Sequence, residues 1–143
     1  MEQPVANGSE TYSEHDYPLQ ELTGRIIGGF FEAHRRLGFG HLEAVYRRAL
    51  AVELVHLGLP IEQEVPFELF HRGVSIGYYR ADLIVASKII VEAKTGLNLD
   101  PAALVQLLNY LKAAHLEIGL VLHFGPRAQI KRVIASRGRF ENL

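Results

Sequence analysis

Apolar positions recur at helical spacing through Leu22, Ile26, Phe30, Ala33 and Leu37, which predicts a helix ending at Leu37-Gly38-Phe39-Gly40. Gly24, Gly28 and Gly29 weaken that helix in isolation, so it is expected to pack tightly against a neighbour. A second helix, roughly His41 to Leu57, would bury Leu42, Val45, Tyr46, Ala49, Leu50, Leu54 and Leu57. Gly58 supplies a left-handed position after it, and Pro60 removes a donor. The period then changes to two. Ile61, Gln63, Val65, Phe67 and Leu69 alternate with Glu62, Glu64 and Glu68, the signature of a half-buried strand. His71-Arg72-Gly73 turns into a strand over Val74–Val85, and Ala86-Ser87-Lys88 turns again into Ile89–Lys94. Asp100-Pro101 is a helix-start signal, opening a helix from Pro101 to about Ala114 that buries Leu104, Leu107, Leu108 and Leu111. Ile118–Phe124 is a continuous apolar run and predicts a central strand, with a shorter one at Ile130–Ile134. The expected order is ααβββαββ, with no internal repeat.

Composition changes this picture in two ways. The chain has 143 residues and no cysteine, which suits one domain and excludes both a disulfide scaffold and a thiolate zinc site. No apolar run is long enough for a membrane helix, and Met1 to Pro18 has neither the basic start nor the apolar stretch of a signal peptide. A cytoplasmic protein without membrane partners is expected. The net charge of −1 argues against nucleic acid only until it is divided along the chain. Residues 1–21 carry five acids and no Lys or Arg, which leaves 15 basic and 11 acidic residues, a net of +4, for the remainder. Residues 1–18 read as a disordered acidic tail, and residues 19–143 as a single domain able to meet phosphates.

The candidate chemistry lies on two neighbouring strands. Alternation puts Glu92 and Lys94 on one face and Ile89, Val91 and Ala93 on the other. Asp82 precedes Glu92 by one turn, and turn length decides whether they meet. A two-residue turn pairs Asp82 with Val91. A three-residue turn through Ala86, Ser87 and Lys88 pairs Asp82 with Glu92 and Arg80 with Lys94, and keeps polar and aliphatic residues on separate faces. That register is the expected one. Two facing carboxylates repel unless a cation lies between them, and Mg²⁺ with oxygen ligands, including the Ala93 carbonyl, resolves the conflict. Lys94 beside them could orient or deprotonate a water and stabilise charge on a phosphate. The same residues would also serve as an ordinary cross-strand salt bridge. Polar groups recur on inward faces elsewhere: Gln106 and Tyr110 at i and i+4, Glu43 in line with Tyr46, and His34 between Phe30 and Leu37. Core tyrosines, a bonded core histidine and a Glu43–Arg47 pair are the plainer explanations for each.

Gly40-His41-Leu42-Glu43-Ala44-Val45-Tyr46 matches the G-x-x-E-x-x-Y signature of the GxxExxY proteins, a branch of the PD-(D/E)XK nuclease-like superfamily. His34-Arg35-Arg36-Leu37-Gly38, Tyr79-Arg80-Ala81-Asp82 and Val91-Glu92-Ala93-Lys94 resemble the same family, and Gln106-Leu107-Leu108-Asn109-Tyr110 is similar to the Q-x-x-x-Y motif of its exonuclease branch. Ala81 stands where the superfamily often has Pro. The resemblance spans about Leu22 to Val133 and implies an α/β, restriction-endonuclease-like core, a central mixed sheet flanked by helices. It implies Asp82 and Glu92 as metal ligands, Lys94 as the catalytic lysine, and Glu43 as a helix-borne glutamate reaching the metal directly or through water. Gln106 and Tyr110 would position substrate or brace the site, and His34 would be a further ligand.

The expected function is a Mg²⁺- or Mn²⁺-dependent nuclease acting on DNA or RNA. Arg35, Arg36, Arg47, Arg48 and the basic residues after Pro126 would supply its phosphate contacts. The alternative is a catalytically inactive module of the same fold that binds nucleic acid or a protein partner. A body of this size offers little surface for gripping a duplex, which on that ground alone points to a homodimer.

Overall fold

The computed structural model describes residues 19–137 and 139–143, so the tail expected at 1–18 lies outside the described residues. Helices α1 (Gln20–Leu37) and α2 (Glu43–His56) precede strands β1 (Ile61–His71), β2 (Val74–Val85) and β3 (Ile89–Thr95). Helix α3 (Ala102–Ala114), strands β4 (Ile118–Phe124) and β5 (Ala128–Ile134), a 3₁₀ turn at Ala135–Arg137 and strand β6 (Arg139–Asn142) complete the elements of the described residues. The predicted order holds, with β6 added. Four residues without apolar alternation carry no periodic signal, and β6 exists because its backbone pairs with β5 from Lys131↔Asn142 to Ile134↔Arg139. Among the described residues no helix is long and apolar enough to cross a membrane.

The six strands lie in the order β1-β2-β3-β4-β5-β6. Every neighbouring pair is antiparallel except β3 and β4, which run parallel because α3 carries the chain back between them. Asp100 starts α3 as expected, its carboxylate accepting from the Ala102 N–H at 2.9 Å.

Two cores result. Helices α1 and α2 cover one face, packing Ile26, Phe30, Ala33, Tyr46, Leu50 and Leu54 against Val91, Ala93, Leu120, Leu122 and Phe124. Gly29 permits their close approach, since a Cβ there would lie 3.0 Å from Leu54 Cδ2. Gly24 and Gly28 have open space instead, so only one of the three helix glycines serves the packing. On the opposite face α3 lays Leu107 and Leu111 on Val121 and Val133. It sits so close to β4 that a Cβ at Gly119 would be 2.8 Å from Leu107.

The β1–β2 hairpin breaks its own alternation. Ile61, Leu83 and Val85 join the α1–α2 core, yet Val65, Phe67, Tyr79 and Ala81, of the same parity, join the α3 core. The turnover falls at Glu64, whose φ of 50° is left-handed. That conformation costs a non-glycine residue about 1–2 kcal/mol. The regular β1–β2 pairs run from Gln63↔Leu83 to Val65↔Ala81 and step over Glu64 and Asp82. Asp82 thus stands where the hairpin rotates.

Candidate catalytic site

The three-residue turn is the observed one: Val85↔Ile89, Ile84↔Ile90 and Leu83↔Val91 pair in the register that points Asp82 at Glu92. The ladder then stops. A regular continuation would pair Ala81 with Ala93; instead the Asp82 carboxylate accepts the Ala93 N–H at 2.8 Å. Arg80 does not reach Lys94 through that ladder. It pairs with Pro66 of β1, and its guanidinium lies 3.5 Å from Glu64. The N–H and C=O of one strand residue leave by the same edge, so the Ala93 carbonyl also looks into the gap between β2 and β3.

Glu92 is almost wholly buried, at 6% exposure. Its Oε2 accepts a long 3.4 Å bond from the Asp82 N–H, while Oε1 is buried with no hydrogen-bond partner among the described residues. Burial first, and then the charge of Asp82, push the Glu92 carboxyl up to about 9, and Lys94 offsets only part of this. Without a cation the pair therefore holds a proton at neutral pH.

Lys94, Gln106 and Tyr110 line one open cleft of about 800 Å³ between α3, the β3–α3 loop and Leu69 of β1. The carboxylate pair is near enough that burial, Glu92 and Asp82 together raise the Tyr110 phenol. Sequence reasoning missed Tyr79, which stacks on Tyr110 with centroids 3.4 Å apart and donates its hydroxyl to the Tyr110 carbonyl at 2.7 Å. Only the turnover at Glu64 puts Tyr79 on that face. It also missed His123, the partner of Lys94 in the parallel β3–β4 register. His123 is 1% exposed, and burial lowers its pKa, with the neighbouring Gly96 backbone and Gln129 side chain acting in the opposite sense. A lone histidine in the apolar run Ile118–Phe124 was the available signal.

Glu43 and His34 lie in the other layer. Glu43 is exposed in the first turn of α2, whose inner residues cover the Val91–Ala93 face. His34 on α1 packs near Phe30 and Phe124, and its Nε2 lies 2.8 Å from the Gly125 carbonyl oxygen. Among the described residues no three His, Cys, Asp or Glu side chains gather closely enough to hold a metal. Asp82, Glu92 and the Ala93 edge thus meet at the β2–β3 gap, while Glu43 and His34, the other two members of the expected set, lie on the layer that covers the Val91–Ala93 face. The signature tyrosine, Tyr46, is a clamp: fully buried on Phe124 at 4.4 Å, it donates its hydroxyl to the Gly38 carbonyl and accepts the His41 N–H at 3.2 Å. It fixes the loop that leads into Glu43.

Several expected phosphate contacts are committed to carboxylates. Arg35 and Arg36 grip Glu32 at 2.6 Å, and Arg47 reaches Glu64 at 3.5 Å rather than serving Glu43. Arg132 is buried in a 2.6 Å ion pair with Glu141 of β6.

The donors that do meet suit a hard divalent cation. Mg²⁺ is usually held by one or two carboxylates, with waters and substrate oxygens completing its shell. Asp82, Glu92 with its unpartnered Oε1 and the Ala93 carbonyl edge provide that partial set.

No curated protein matches the sequence. The chain is similar in fold to the crystal structure of SSO0001, with a TM-score of 0.51 and 24% identity over 64% of this chain. The match spans 50% of that protein's length. A family profile, the PD-(D/E)XK nuclease superfamily, matches residues 20–133, and it agrees with the mixed sheet and its flanking helices. On that match, which takes in all three helices and four full strands, the chain belongs to the PD-(D/E)XK nuclease superfamily.

Proposed function

We propose that the protein hydrolyses phosphodiester bonds of nucleic acid with Mg²⁺ or Mn²⁺ held by Asp82 and Glu92. The observation that carries this reading is the buried, unpartnered Glu92 oxygen facing a second carboxylate beside Lys94. A buried acceptor left without a partner costs about 1–3 kcal/mol, and a bound cation removes that cost. When bound, the ion supplies Lewis-acid polarisation of the phosphoryl oxygen and favours deprotonation of a nearby water. Lys94 projects from the same face as Glu92 into the cleft, where its ammonium orients the attacking water and offsets charge on the phosphate in the transition state. Gln106 and Tyr110 hold the substrate against that wall. Glu43 and His34 are left out of the ligand set, since they lie in the α1–α2 layer.

The test is cleavage of labelled single- and double-stranded DNA and RNA with Mn²⁺. Wild type should cleave at least one of them, and Glu92→Ala and Lys94→Ala should each lose about 10²–10³-fold in rate. Equal behaviour of wild type and both variants on every substrate would remove the enzyme reading and favour the inactive binding module.

A further inference from the structure

The cleft beside the carboxylates has features that phosphate chemistry alone does not require. Phe67 of β1, Tyr79 of β2 and Tyr110 of α3 form a column of near-parallel rings, with centroid spacings of 5.0 and 3.4 Å and interplanar angles of 14° and 7°. Tyr79 is the middle ring, so among the described residues the column ends on Tyr110, and Tyr110 borders the cleft. A flat ring entering the cleft would meet Tyr110 at its wall. Leu69 forms an apolar wall of the same cleft.

We infer that this cleft receives one unpaired nucleobase, so that the substrate is single-stranded nucleic acid or a frayed end; the inference rests on the nuclease reading above. The volume of about 800 Å³ lies within the range of small-ligand sites and suits a nucleotide-sized group. Every base has a π-face, so an aromatic platform accepts any of them. Asn98, Gln106 and Asn109 border the cleft with amides that carry both donors and an acceptor, the complement of a base edge. Lys94 lies on the same wall and meets the phosphate attached to the captured base. The acidic lining residue Asp100 is already engaged by the Ala102 N–H. A base still paired in a duplex presents neither face to Tyr110, so capture requires an unstacked one.

The test is fluorescence anisotropy of the full chain in EDTA, so that no cleavage accompanies binding. Labelled single strands are compared with duplexes of equal length and with abasic strands carrying the same phosphates. The natural single strand should bind about tenfold or more tightly than either, the size of one stacking contact. Tyr110→Leu should bring the natural strand down to the abasic level while leaving the abasic strand unchanged. If Tyr110→Leu does not fold, Asn109→Ala on the exposed face of α3 and quenching of 2-aminopurine in a wild-type complex report on the same cleft. Equal binding of natural and abasic strands, equal binding of duplex, or no binding at all overturns the inference. Cleavage without base dependence removes the cleft assignment and leaves the nuclease. Base-dependent binding in EDTA together with no cleavage of any substrate in the Mn²⁺ assay removes the nuclease and leaves the cleft.

Discussion

On the α1–α2 side of the sheet, Phe30, Tyr46 and Phe124 interlock with centroids 4.4 to 4.8 Å apart, and the polar groups among them have partners. Tyr46 bonds Gly38, His34 bonds Gly125, and Arg132, on that face by its pairing with Leu120, closes on Glu141. Thr23 Oγ1, on α1 itself, is the exception. On the α3 side, Glu92 Oε1 is buried without a partner among the described residues, and an open cleft lies beside the carboxylates. A satisfied interior holds a fold together. An interior with unmet acceptors loses stability relative to it and gains a place where an ion or substrate binds more strongly than water would.

Breaking the closed face should have the largest effect. Phe124→Ala empties the middle of the aromatic cluster and is expected to lower unfolding free energy by about 3–5 kcal/mol in urea titrations. Loss of less than about 1 kcal/mol would mean that this face is not the main source of stability. The open face should respond to its ion. Mg²⁺ or Mn²⁺ at about a hundred times its dissociation constant should raise stability by about 2.7 kcal/mol, and the gain should vanish in Asp82→Ala. A gain retained in that variant would place the ion elsewhere.

A smaller effect of opposite sign sharpens the contrast. Glu92→Gln replaces a carboxyl that must take up a proton on folding by an amide that is neutral already, so metal-free protein at neutral pH should become more stable by about 1–2 kcal/mol while cleavage is lost. A destabilised Glu92→Gln would show that the carboxylate pair supports the fold. The smallest effect belongs to α1. Gly28→Ala adds a methyl group where nothing lies within 4 Å, and should stabilise by about 1 kcal/mol in thermal unfolding. The same change at Gly29 presses on Leu54 and should gain less or lose.

The local features were legible in the sequence because their signals are local. Periods of 3.6 and two placed all three helices and five of the strands, and the three-residue turn at Ala86–Lys88 set the β2–β3 register. The alternation of Ile89, Val91 and Ala93 against Glu92 and Lys94 followed directly from strand geometry. Charge was less legible. Arg35, Arg36, Arg47 and Arg132 counted toward a basic surface, yet each has a carboxylate partner that counting cannot reveal.

The sequence by itself determined which elements form and that Asp82, Glu92 and Lys94 share one strand junction, because hydrophobic period and turn length act over a few residues. Tertiary structure alone decided the rest: which face α1 and α2 cover, and so the separation of Glu43 and His34 from the carboxylates. It also decided the rotation at Glu64 that frees Asp82 and stacks Tyr79 on Tyr110, and the parallel register that puts His123 beside Lys94. Those depend on how layers pack and how a crossover returns, and a periodic pattern names a buried side without naming what lies against it.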